Sequence, residues 1–160
     1  MTLQEMILRP IGRVRAEKGE FSIEIAEQYR PALVGLDGFG HIDVLWWADR
    51  ADTPEQRNFT TCRKPYTHGP DTIGIFATRS PQRPNPIAVT TTDVLSVDQE
   101  HGIIRLSYID AENGTPVIDI KPYHPSGERV REVVLPAWCS HWPQWYEESS
   151  SFDWNSEFTE

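Results

Sequence analysis

A chain of 160 residues with 38% hydrophobic and 24% charged side chains is a one-domain length able to bury a core, which excludes a disordered or fibrous class. No apolar run approaches the roughly 20 residues of a spanning helix, and Met1 to Arg9 mixes acid and base, so neither a membrane segment nor a secretory leader is expected. The net charge of -9 argues against a nucleic-acid partner at first sight, but it is unevenly spread. From Glu147 onward there are five acids and no base, and without them the balance is -4. Arg57 to Arg83 carries five bases and one acid, a local +4. Phosphate contacts depend on such a local field, although a solvated basic loop has the same composition. Cys62 and Cys139 form no CxxC pair and the five histidines are dispersed, so no zinc site is expected; two lone thiols suit a reducing cytoplasm.

In chain order, Phe21, Ile23 and Ile25 alternate as one face of a strand. Tyr29, Leu33 and Leu36 recur at helical spacing, predicting a short helix that Pro31 limits and Gly38 ends. His41 to Ala48 is apolar on both faces, as in a central strand. A long polar connection without periodicity follows from Asp49 to Thr72. Ile73–Thr78, Ile87–Val97, Ile103–Ile109 and Val117–Ile120 read as further strands, with Asn113-Gly114 the strongest turn signal. Trp138, Trp142 and Trp145 fall at helical spacing and are expected to pack on the strands, followed by a frayed acidic tail. Strands dominate, so the expected fold is mainly β: a closed or nearly closed β-barrel over residues 1–146 with one or two short helices, and a tail over 147–160.

Two segments stand out chemically. Phe76-Ala77-Thr78-Arg79-Ser80-Pro81-Gln82-Arg83-Pro84-Asn85-Pro86-Ile87 holds three prolines within six residues, which fix φ and stiffen a loop presenting two arginines and an asparagine. Rigid support lowers the entropy lost on binding, although a structural turn with paired arginines fits the same pattern. From Ile109 to Tyr123, a strand end at Asp110 passes through the Asn113-Gly114 turn. There Asp110 and Glu112 can accept hydrogen bonds from a ribose diol or an amine, or simply face solvent.

FATRSPQRPNPI and NGTPVIDIKPY closely resemble the two signature stretches of the TsaA/TrmO-like family, and Gly35-Leu36-Asp37-Gly38-Phe39-Gly40-His41-Ile42 resembles its third. The resemblance spans about Gly19 to Tyr123, in the family's order. It implies a barrel that binds S-adenosylmethionine across a homodimer and methylates the exocyclic amine of a threonylcarbamoyl-modified adenosine in tRNA. Carried over by position, it implies cofactor contacts from Arg79, Val89, Ala48, Asp49, Asp110, Ala111, Glu112 and Asn113, with Asp49 standing where the family usually has histidine. Beside it, Asn85 between two prolines is the candidate for orienting the acceptor amine, and Arg83, Arg63 and Lys64 are candidates for holding substrate. The expected partners are tRNA and a second copy, with no metal, membrane or DNA. One departure is marked: Arg15-Ala16-Glu17-Lys18 runs almost directly into the next strand, where the family commonly has a longer cofactor-holding loop. The acidic chain leaves a methyltransferase of small molecules as one alternative, and the short loop leaves a non-catalytic cofactor-binding module as another.

Overall fold

The computed structural model describes residues 5–159; Met1 to Gln4 and Glu160, part of the expected leaderless start and acidic tail, lie outside them. Six strands close into an antiparallel barrel: β1 (Gly12–Glu17), β2 (Glu20–Ile25), β3 (His41–Trp47), β6 (Ile87–Asp98), β7 (Ile103–Leu106) and β8 (Pro116–Pro122). Their order is β1-β2-β7-β6-β3-β8, returning to β1, so the mainly-β barrel expected from the sequence is the fold observed. Between β3 and β6 a separate two-stranded ribbon pairs β4 (Thr61–Arg63) with β5 (Thr72–Gly74). Two single turns of α-helix, Pro54–Arg57 and Pro125–Glu128, and several 3₁₀ turns complete the structure.

Period-two alternation decides which side chains fill the barrel. Val14, Ile23, Ile42, Ile104 and Val117 are fully buried and Ile25, Leu106 and Ile109 nearly so. β1 and β2 are joined by Lys18 (φ 54°) and Gly19 (φ 81°), the paired left-handed conformation of a tight hairpin. The abrupt passage noted in the sequence is this turn. The seam that closes the barrel is short: β1 meets β8 only at Gly12–Val117 and Arg13–Pro116. Main-chain bonds from Ile11 N to Val117 O (2.8 Å) and from Val14 N to Thr115 O (2.9 Å) extend it.

Several local expectations are corrected. The strand expected through Ile109 ends at Leu106, because the buried Thr92 hydroxyl, at 2.6 Å from Tyr108 O, replaces the ladder there. The strand expected over Ile73–Thr78 stops at Gly74 and tightens into a 3₁₀ turn. The helix expected around Tyr29 is likewise 3₁₀, with Pro31 inside it. The connection from Asp49 to Thr72 contains a helical turn and β4. His41–Trp47 is central, between β6 and β8, but only its Ile42 and Val44 side is fully buried.

The C-terminal expectations change most. Pro143 interrupts the spacing of the tryptophans, and no regular α-helix forms across it. Trp138 stacks on Tyr66, at the end of the β4 ribbon, at 4.9 Å, and Trp142 meets the same ring edge-on at 5.4 Å. Trp145 is exposed beneath Arg129. The segment after Glu147 is docked rather than frayed: Phe152, Trp154 and Phe158 interleave with its acids, and Phe158 forms a β-bridge to Tyr66. Glu157 is buried, accepting from Trp142 Nε1 (2.9 Å) and facing His141 Nε2 (2.8 Å). Histidines dispersed in sequence are thereby not all dispersed in space.

Gly12 sits where an added Cβ would lie 2.3 Å from Glu24 O, so the β1–β2 approach requires glycine. Gly12→Ala is expected to lower stability in urea unfolding by about 2–3 kcal/mol, the scale of core overpacking. Gly40→Ala, with nothing within 4 Å of the new carbon, is expected to stay within about 0.5 kcal/mol.

Candidate cofactor groove

At one end of the barrel lies an open groove of about 970 Å³. Its floor is Trp46, Ala88 and Thr90, from the paired strands β3 and β6. Trp46 Nε1 donates to Thr90 Oγ1 at 3.0 Å, which fixes the indole. One wall is the chain leaving β3, Ala48 to Ala51; another is Ile109 to Glu112, held against the barrel by the β1–β8 seam. The proline-rich loop forms the third wall through Thr78, Arg79, Pro81 and Arg83.

That loop is rigid for visible reasons. Pro86 is fully buried and its carbonyl accepts from Ala48 N at 2.8 Å, tying two walls together. Thr78 Oγ1 donates to Ile75 O (2.8 Å) and accepts from Ser80 N (3.2 Å). The Arg83 guanidinium donates to Ile75 O and Thr78 O, both at 3.3 Å. From outside, Arg57 clamps the loop, donating to Pro84 O (2.9 Å), Asn85 Oδ1 (3.3 Å) and Asp52 Oδ1 (3.2 Å). The same guanidinium lies over the Trp47 ring, 5.9 Å from its centroid.

The candidate residues thus divide. Arg79, Val89, Ala48, Asp49, Asp110, Ala111, Glu112 and Arg83 line the groove. Asn113 does not: its side chain accepts from Ala16 N and donates to Glu17 Oε1, bracing the turn against β1. Asn85 lies just beyond the lining, its carbonyl oxygen turned to Arg57. Arg63 and Lys64 sit exposed on the β4–β5 ribbon, away from the groove walls. Arg50, Thr78 and Tyr146 also line it and were not singled out in the sequence. Arg50 adjoins Asp49 and pairs with Glu112. Tyr146 comes from the C-terminal segment, for which no local pattern gives a signal.

Charge in the groove is mixed. Arg50 and Glu112 satisfy each other, whereas Arg79 has no ion pair among the described residues, and neither Asp49 nor Asp110 has a cationic partner. Asp110 Oδ1 accepts from Tyr108 Oη at 3.4 Å and keeps its second oxygen free. A groove offering one uncommitted guanidinium, the Asp49 carboxylate and this free oxygen suits a zwitterionic ligand of moderate size. At its edge Tyr146 is anchored through Asp93, which accepts from Tyr146 Oη (3.4 Å) and Ser107 Oγ (2.7 Å) and faces His41 Nε2 (3.0 Å).

Fold and groove together define a six-stranded antiparallel β-barrel with an open groove of mixed polar and apolar lining. Residues 4–128 match the tRNA-methyltransferase O N-terminal domain, and the chain belongs to that family. The S-adenosyl-L-methionine-binding protein of Archaeoglobus fulgidus is 33% identical over 142 residues, covering 80% of this chain and 96% of that protein. A probable S-adenosyl-L-methionine-binding protein of Pyrococcus horikoshii is 40% identical over 124 residues, 76% of this chain and 85% of that one. The tRNA (adenine(37)-N6)-methyltransferase of Escherichia coli K12 is 35% identical over 127 residues, 78% of this chain but 53% of that enzyme. The crystal structure of TrmO from Pseudomonas aeruginosa superposes with a TM-score of 0.63 at 26% identity, covering 82% of this chain and 62% of that chain. The chain thus spans somewhat over half the length of these two longer proteins.

Ser107, burial and His41 set the Asp93 carboxyl: the Ser107 hydroxyl and His41 hold it below its ordinary range, with burial opposing them. A lowered folded-state value means that this contribution is present above the unfolded carboxylate value of about 3.9 and is lost as pH falls through the lowered one. Asp93→Asn is expected to melt below the parent at pH 7, and the two melting curves are expected to converge in acid.

Proposed function

We propose that this chain is an S-adenosylmethionine-dependent methyltransferase acting on the exocyclic amine of an adenosine in tRNA, beside the anticodon. The observation that carries the proposal is the uncommitted Arg79 facing a groove with Asp49 and Asp110, in a family whose relatives are named for this cofactor and for this reaction. The donor set fits the cofactor. Arg79 suits its carboxylate, and Asp49 and Asp110 suit its ammonium and ribose hydroxyls. Trp46 and Val89 offer apolar surface for the base. When bound, the cofactor supplies a methyl group already activated by a positively charged sulfur.

The protein's own part is positioning. An exocyclic adenine amine is a poor nucleophile, because its lone pair is delocalised into the ring, so alignment supplies much of the rate. Asn85 Oδ1 spends one lone pair on Arg57 and retains another for the amine, and the flanking prolines hold it still. Arg83 is committed to its own loop and acts as scaffold for Arg79. Exposed Arg63 and Lys64 on the ribbon are available to tRNA phosphates, which offsets the acidic chain locally. A threonylcarbamoyl group on the target adenosine and a cytoplasmic setting belong to the same reading.

A second copy of the chain is part of the proposal. Ile87 and Phe76, at the rim of the groove, are 38% and 80% exposed, a patch that a partner subunit would cover. Trp47 adds little to this patch, since Arg57 lies over its ring and Asp52 accepts from its Nε1.

Transfer of labelled methyl from S-adenosylmethionine into tRNA, against an RNA-depleted extract, tests the function. Label in tRNA supports it, label in small molecules supports the alternative acceptor, and cofactor binding without transfer leaves a binding module. Arg79→Ala is expected to weaken cofactor binding in calorimetry by about 1.5–3 kcal/mol, the scale of a charge-assisted hydrogen bond. Asn85→Ala is expected to lower turnover by about 100- to 1,000-fold with cofactor affinity and melting unchanged. Parallel loss of affinity, melting and turnover would make Asn85 a brace for the loop instead.

A further inference from the structure

One cluster of ligating side chains lies outside the groove and has no part in the methyl-transfer reading. His68 stands in the turn between β4 and β5, His141 just beyond the 3₁₀ turn Ala137–Cys139, and Glu157 in the last docked segment. Each offers one donor atom, and the three donors lie within 4.8 Å of one another. The sequence, with its histidines far apart, predicts no such gathering. From this juxtaposition we propose that His68, His141 and Glu157 form a binding site for zinc or a similar divalent transition metal, fastening the C-terminal segment to the β4–β5 ribbon.

The carboxylate is already oriented as a ligand. Glu157 is buried at 5% exposure, and its Oε2 is occupied by Trp142 Nε1 at 2.9 Å. That leaves Oε1, the oxygen facing His141 Nε2 at 2.8 Å, as the ligating atom. A ligating carboxylate steadied through its other oxygen is the usual supporting arrangement at metal centres. The trio is also braced through the backbone. Thr67, the neighbour of His68, donates its N–H to Glu157 O (2.9 Å) and its hydroxyl to Ser156 O (2.8 Å). The two chain segments therefore meet in a set register whether or not an ion is bound.

The imidazoles have the freedom that a metal requires. His68 makes no side-chain hydrogen bond among the described residues, and its ring meets that of His141 edge-on at 5.5 Å. Both histidines are exposed, so small side-chain rotations can draw the donors in to the roughly 3.3 Å separation that metal–ligand bonds of about 2.0–2.2 Å impose. Two imidazoles and one carboxylate form a nitrogen-rich set that selects zinc, nickel or copper over magnesium and calcium. The exposed side leaves a fourth position for water. On binding, His141 turns the Nε2 lone pair to the metal and keeps its one ring proton on Nδ1, its hydrogen bond to Glu157 is replaced by two bonds to the metal, and no redox step is involved. An ordinary histidine–carboxylate pair is the competing account.

The test uses the full chain, stripped with a chelator and titrated with zinc chloride against a chromophoric competitor, with thermal melting in parallel. The expected result is one tightly bound equivalent and a rise in melting temperature with added zinc. His68→Ala and His141→Ala are each expected to weaken zinc binding at least tenfold. His101→Ala, at the exposed β6–β7 turn, is expected to change nothing. The metal-free His68→Ala chain is expected to melt with the metal-free parent, which separates lost ligation from lost folding. No zinc-dependent shift in the parent, or tight binding that survives His68→Ala, would overturn the site.

Discussion

Closure of the barrel depends on a seam two residues long. Gly12 and Arg13 of β1 meet Val117 and Pro116 of β8, and β1 can lie there only because Gly12 presents no side chain to Glu24 O of the neighbouring strand. Closing a sheet removes its unpaired edges, which a six-stranded open sheet of this size would leave exposed. The seam also sets the geometry of the groove. Gly114, at φ 90°, donates to Val14 O, and Thr115 O accepts from Val14 N, so the turn after Ile109 is drawn tight against β1. Asp110, Ala111 and Glu112 are left lining the groove, with Glu112 paired to Arg50. Asn113, adjacent in sequence, spends its amide bracing the turn. Neighbouring residues thus divide into groove wall and scaffold according to which strand claims them.

The basic segment divides in the same way. Of its five positive side chains, Arg57 and Arg83 are consumed in holding the proline loop, from outside and from inside. Arg63 and Lys64 stand on the ribbon, and Arg79 is presented to the groove with neither an ion pair nor a side-chain hydrogen bond among the described residues. Prolines stiffen the backbone, and the two structural arginines fasten the loop on either side of Arg79 through carbonyl acceptors. A local excess of positive charge on an acidic protein is therefore partly architecture. Exposed ion pairs such as Arg50–Glu112 contribute little to stability and more to shaping the groove.

The C-terminal segment is a second, smaller core built on Tyr66. Trp138, Trp142 and Phe158 surround that ring, and burial raises the Tyr66 hydroxyl above its ordinary value. The segment buries the acid Glu157 and half-buries Phe152 and Trp154, so a composition resembling a solvated tail folds instead as a strap. One of its residues, Tyr146, reaches the groove and is held there through Asp93. The strap thereby couples the ribbon, the barrel mouth and the ligand site.

By itself the sequence determined the alternating strands, the stiffness of the proline loop and the family, because period-two burial and proline geometry are local properties written in neighbouring residues. It also marked Arg79, Val89, Ala48, Asp49 and the Asp110–Glu112 run, which the fold does bring to one groove. Only the tertiary structure decided that Asn85 is shared with Arg57, that Asn113 braces β1, and that Arg50 and Tyr146 complete the walls. It likewise decided that β7 ends at Leu106, where a buried threonine outcompetes the ladder, and that His68, His141 and Glu157 converge. The physical reason is common to all of these. Each depends on a hydrogen bond or contact between segments far apart in the chain, and such pairings leave no periodic mark on either segment alone.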